Sequence, residues 1–168
     1  GTADIPLTGV TTTQRVLQSN GTTPISEVIN SWATLGAGAA GSTSYAFPYV
    51  TSSTAREYEF APSTAYNAVL KRTVITTVSA IDSFANQTDV TTTATESATG
   101  NGAQGGTAYT TRLVTASGTK PMTNDTLAWC IGRPSQIVTT ASHTFSLNGN
   151  GGARIRAVDQ NLDALSLC

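Results

Sequence analysis

The clearest pattern along the chain is a two-residue alternation. Ile137, Thr139, Ala141, His143, Phe145 and Leu147 fall on one side of an extended segment, with Val138, Thr140, Ser142, Thr144 and Ser146 on the other. This period belongs to a strand with one buried and one wet face. Thr107–Ala116 repeats it through Tyr109, Thr111 and Leu113, and Thr126–Ile131 aligns Leu127, Trp129 and Ile131. Val69–Ile81 is long and β-branched, and reads as one bent strand or two. Shorter strands are predicted at Ile5–Val10, Arg15–Gln18, Tyr45–Val50, Arg56–Phe60, Asp89–Thr95 and Ala153–Val158. β-branched side chains lose little by standing on a pleated surface, so each of these segments is locally at ease as a strand.

Gly-rich stretches separate the strands. Gly36–Gly41 predicts a flexible connection and Gly100–Gly106 a hairpin tip, since no Lys-Ser/Thr follows to make it a phosphate loop. Asn148-Gly149-Asn150-Gly151-Gly152 predicts a hairpin from Leu147 to Ala153, because Asn-Gly steps suit turns with positive φ. One segment breaks the period. Ile25, Val28, Ile29, Trp32 and Leu35 recur at helical spacing, Thr23 is placed to cap, and Pro24 and Gly36 suit the two ends. A short helix over 24–35 is therefore expected. Val158, Leu162 and Leu165 suggest a helical turn near 159–165.

With no composition shift or internal repeat, residues 1–168 read as a single all-β, mainly antiparallel domain, a β-sandwich or a barrel or jelly-roll-like fold. Two packed sheets would bury the alternating apolar faces. Residues 1–12 could form an extended arm or a donor strand that completes a neighbour's sheet.

Composition narrows the function. Only 11% of residues are charged, the formal net charge is -1, and 31 of the 168 residues are Thr. So little positive charge cannot neutralise many phosphates, which argues against strong nucleic-acid binding. No window approaches an uninterrupted apolar membrane span.

Candidate chemistry is sparse. His143 is the sole imidazole, and a strand position between Ala141 and Phe145 suits a hydrogen-bonded sheet residue better than a catalytic one. Glu57 and Glu59 could flank a cleft as a glycosidase pair, but a solvated strand face near Arg56 is the simpler reading. No catalytic, cofactor-binding or metal-binding residue is assigned. Arg154 and Arg156 share one face of the last strand, where they suit edge protection or a salt bridge to a neighbouring subunit.

Cys130 and Cys168 could form a disulfide closing a loop of about 37 residues. Asn20, Asn86 and Asn124 begin Asn-x-Thr sequons, which matter only in a glycosylating host. Trp32, Tyr45 and Tyr49 could make a stacking platform for glycans.

These features predict a non-enzymatic structural subunit whose partners are copies of itself. A virion component (coat, decoration or fibre protein) is the first expectation and an extracellular filament the next, which places the chain in a virion or at a cell surface. The alternative is a glycan-binding module or adhesin domain that meets a host-surface glycan. A hydrolase without a recognisable motif is third.

Overall fold

A computed structural model describes residues 7, 9–36, 47–60, 68–97, 107–115, 123–125, 127, 130–134, 136–147 and 150–161. Strands β1 (Thr13–Leu17), β2 (Pro24–Leu35), β3 (Phe47–Phe60), β4 (Ala68–Ile81), β5 (Gln87–Glu96), β6 (Ala108–Val114), β9 (Gln136–Leu147) and β10 (Asn150–Asn161) form one antiparallel sheet. Its order is β1-β2-β3-β4-β5-β6-β9-β10. A separate ribbon pairs β7 (Thr123–Asp125) with β8 (Cys130–Arg133). The connections are next-neighbour throughout, except that the ribbon interrupts the step from β6 to β9.

The all-β antiparallel class follows the sequence reading. Val69–Ile81 is one strand, interrupted by register shifts at its C-terminal end. The predicted pieces at 45–50 and 56–60 join in β3. The Leu147–Ala153 hairpin forms with Asn150 opposite Leu147, so Gly151 and Gly152 belong to β10. The described strands make one layer, however, and β1 and β10 stand at its two ends without joining. Neither the second sheet of a sandwich nor the closure of a barrel is present among the described residues.

The expected helix over 24–35 is a strand. Residues 24–29 pair with β1 and residues 26–35 with β3. The helical stripe is carried mostly by Ile25, Val28 and Ile29, with Ser26, Asn30, Ser31 and Thr34 between them, a set that pays little to be extended. The signals read as helix caps serve the strand equally well. Pro24 opens it, a position where the missing N–H costs nothing. The Thr23 carbonyl accepts from Gln18 N at 2.8 Å and closes the β1–β2 turn. Gly36, with φ 75, ends the strand.

Three smaller expectations also change. Asp159–Asn161 belong to β10 instead of starting a helical turn, and 162–168 lie outside the described residues. Of the strand expected at 126–131, Cys130 and Ile131 belong to β8, Leu127 lies fully exposed in a turn, and 126, 128 and 129 lie outside the described residues. Of the strand expected at 5–10, the described residues turn, with Val10 N donating to Leu7 O at 3.4 Å and Gly9 at φ 83. Thr11 and Thr12 then run beside β2. The Thr12 carbonyl accepts from Asn30 N at 2.8 Å, and the Thr11 carbonyl accepts from Asn30 Nδ2 and Trp32 Nε1.

Among the described residues no helix is long and apolar enough to cross a membrane. Among the described residues little is buried. Ala94 is the one buried hydrophobic residue among those described, and no large side chain is fully enclosed.

Candidate functional site

Among the described residues the candidate functional surface is the sheet. Residues opposite one another in antiparallel register share a face. One row runs Val28–Ala55–Val74–Ala94–Tyr109–His143–Arg154 across β2 to β10. A parallel row on the same face runs Val78–Val90–Leu113–Thr139–Val158. Between them lies Thr76–Thr92–Thr111–Ala141–Arg156, with the Thr76 and Thr92 hydroxyls 3.2 Å apart. This is the apolar face.

The opposite, hydroxyl face carries Thr73–Thr95–Ala108–Thr144, Thr54–Ile75–Thr93–Thr110–Ser142–Ile155 and Thr77–Thr91–Arg112–Thr140. The Thr93 and Thr110 hydroxyls meet at 3.1 Å. Cross-strand hydroxyl pairs of this kind support a sheet and leave its surface wettable.

On the hydroxyl face Arg15, Glu27 and Arg56 lie in one register row across β1, β2 and β3. Glu27 accepts from Arg15 Nε at 2.9 Å, Arg56 Nη1 at 2.7 Å and the Tyr58 hydroxyl at 3.1 Å. Glu27 is buried although the sheet has no depth, because its partners' side chains cover it. Arg56 first, then Arg15, hold its carboxyl below the usual glutamate range, against desolvation. Desolvation first, then the neighbouring Glu27 carboxylate, raises the Tyr58 phenol. Sequence reasoning gave Glu27 no role. The signal, one acid in register with two arginines, exists only once β1–β2–β3 pairing is known. At β5–β6, Arg112 forks onto Asp89 at 3.0 and 2.6 Å and lowers its pKa.

On the apolar face the Tyr109 and His143 rings stack at 4.2 Å between centroids, 5° from parallel. Tyr109 is 50% exposed. The stack borders a shallow groove of about 390 Å³ that reaches Arg154 and Arg156. Neither arginine has an ion-pair partner among the described residues. His143 therefore sits in a sheet row, stacked on a tyrosine.

The sequence-derived candidates scatter. Trp32 opposes Val50 and Tyr49 opposes Ala33, consecutive register positions that put the two aromatics on opposite faces. The Trp32 indole N–H is spent on the Thr11 carbonyl. Tyr45 lies outside the described residues. Asn20 organises the β1–β2 turn, its Oδ1 accepting from Thr22 N and Thr23 N. Asn86 donates from Nδ2 to Asp82 Oδ2 at 2.8 Å. Asn124 lies in β7. Cys130 opens β8 and Cys168 lies outside the described residues. No three His, Cys, Asp or Glu residues cluster as metal ligands among the described residues.

Among the described residues no strand pairs with the outer edge of β1 or of β10. Every residue of β1 is exposed, including Val16 at 50%. Ile155 of β10 is 74% exposed, flanked by Arg154 and Arg156. No protein-family model matches the chain, and neither a curated relative nor a solved structure shows significant similarity to it.

Proposed function

We propose that this chain is a non-enzymatic structural subunit of a repeating assembly, a virion component such as a coat, decoration or fibre protein, or else an extracellular filament subunit. The observation that carries the reading is the single layer. A sheet with an apolar face is stable when that face is packed on a second layer, and the described residues supply none. Copies of the same chain can supply the missing contacts by symmetry.

The composition suits such tiling. Few Lys and Glu side chains need be immobilised at contacts, and these residue types are scarce in interface cores. Two exposed edges offer strand pairing, with Arg154 and Arg156 limiting it to partners that answer their charge. Light scattering and electron microscopy of the native material test the reading: discrete closed particles or filaments are expected. A monodisperse monomer at micromolar concentration contradicts it and moves the weight to a binding module.

A further inference from the structure

We infer that the β6–β9–β10 corner of the sheet binds an acidic sugar, a saccharide unit carrying a carboxylate or a sulfate. Arg154 and Arg156 hold the anion, and the Tyr109–His143 ring pair packs against the sugar. The site adds a ligand to the subunit proposed above and does not depend on its assembly.

Positive charge is unspent at this corner. Arg15, Arg56, Arg72 and Arg112 are each paired with a carboxylate. Arg154 and Arg156 are exposed and have no ion-pair partner among the described residues. β6 and β9 contain no Asp or Glu. The one acid of β10, Asp159, lies an odd number of positions from both arginines and so stands on the opposite face, where Gln136 Nε2 donates to its two oxygens. No carboxylate of these three strands therefore competes for the two guanidiniums, whose forked N–H donors match the oxygens of an oxyanion.

The backbone puts an apolar wall beside that charge. Two residues apart on one strand, Arg154 and Arg156 share a face with their Cα atoms about 7 Å apart. The groove of about 390 Å³ takes in two neighbouring register rows, Tyr109–His143–Arg154 and Thr111–Ala141–Arg156. Along the first row the stacked rings present flat hydrocarbon, with Tyr109 half exposed. Along the second, small side chains leave room, and Thr111 carries a hydroxyl that can donate or accept. A ligand suited to this surface needs an apolar face, hydroxyls and a negative charge. A pyranose ring with an acidic substituent has all three, and its C–H face packs on aromatic side chains.

The footprint is local, which favours a sugar over a nucleic acid. Four of the seven arginines are tied to carboxylates and the net charge is -1, so a phosphate chain leaving the groove gains little further neutralisation. One acidic sugar residue needs no more than the two arginines. Trp32 and Tyr49 are split between the faces and make no joint platform, whereas Tyr109 and His143 share one row.

Calorimetric titration and saturation-transfer NMR on the full chain test this, and both serve for free or assembled protein. The probes are sialyllactose, a sulfated heparin disaccharide, neutral lactose, inorganic sulfate and adenosine monophosphate. At least one acidic saccharide is expected to bind at least tenfold more tightly than lactose and than sulfate. The pair Arg154→Ala/Arg156→Ala is expected to weaken that binding at least tenfold, and Arg154→Lys/Arg156→Lys to keep only part of it. Tyr109→Ala is expected to weaken it about fivefold, and Arg15→Ala, at the other end of the sheet, to leave it unchanged. Circular dichroism confirms that each variant keeps its strands. Sulfate that binds as tightly as the saccharides reveals an anion spot with no sugar site and overturns the proposal. Adenosine monophosphate that binds more tightly than either saccharide gives the groove to nucleotides and overturns it as well. So does the absence of saturable saccharide binding, or binding indifferent to loss of both arginines. Each of these outcomes leaves the subunit reading standing, because assembly is measured separately.

Discussion

The two ends of the sheet treat charge in opposite ways. At the β1–β3 end one carboxylate, Glu27, gathers Arg15, Arg56 and Tyr58, and three strands are tied together through it. At the β9–β10 end Arg154 and Arg156 project from an exposed strand with no ion-pair partner among the described residues. Among the described residues both ends belong to one layer, yet Glu27 is buried and β10 is exposed. Register makes the difference: β1, β2 and β3 put opposite charges in one row, whereas β6, β9 and β10 put Tyr109, His143 and Arg154 in one row. Among the described residues the first end has its charges paired, and the second leaves its arginines exposed.

The contrast can be broken most forcefully at Glu27. Glu27→Ala frees two arginines that can rehydrate, so the loss is that of a charge-assisted network near the surface, about 1–2 kcal/mol. It should appear as a lower denaturation midpoint at fixed protein concentration, with β1 amides exchanging fastest. Unchanged exchange in β1 would show that the cluster does not hold that strand.

Acid sharpens the same point. The folded-state pKa of Glu27 lies below its ordinary value of 4.5, so its contribution is present above that pH and is lost as pH falls through the depressed folded value. Asp89, held down by Arg112, acts in the same direction. A denaturation series from pH 6 to pH 2 should therefore show stability falling in the acid limb, with a shallower fall for Glu27→Gln. Parallel curves for the two proteins would remove Glu27 as a cause.

The turn between β4 and β5 lies away from both ends and gives two local comparisons. A Cβ on Gly132, at φ 77, would meet Asn86 Oδ1 at 2.7 Å, so β8 is packed against this turn. Gly132→Ala should cost about 1–2 kcal/mol from the left-handed backbone alone. Ala85 in the same turn has φ 65, where glycine is unstrained. Ala85→Gly should stabilise by about 0.5–1 kcal/mol, less the added freedom of the unfolded chain. Calorimetry of both variants checks the opposite signs.

At the open end, Arg154→Ala should change the stability of the subunit itself by less than about 0.5 kcal/mol. A larger loss would mean that the arginine already has a partner within the chain.

Much of the sheet was legible because period-two alternation and turn residues are local signals. Ile137–Leu147 and the Asn148-Gly149 step suffice for the β9–β10 hairpin. Residues 24–35 misled for an equally local reason: five apolar positions fit a helical stripe, while the decisive pairing with residues 13–17 and 47–57 is remote in sequence. There the β-branched residues, and not the spacing, held the information. The single layer could not be read at all, since alternation says that a face is buried and not by which chain. Glu27 stayed hidden for a related reason, because its arginines lie on neighbouring strands. The lone histidine drew attention by its chemistry, yet the fold uses it as a flat partner for Tyr109.

The central claim is that copies of this chain pack on the sheet face that the described residues leave uncovered. Thermal unfolding followed by circular dichroism across a hundredfold dilution tests it most directly, because linked association makes the midpoint depend on concentration. A midpoint that falls steadily on dilution, together with loss of the assembled mass, is the predicted result. A midpoint that stays fixed while the protein runs as a 17.3 kDa monomer would contradict it.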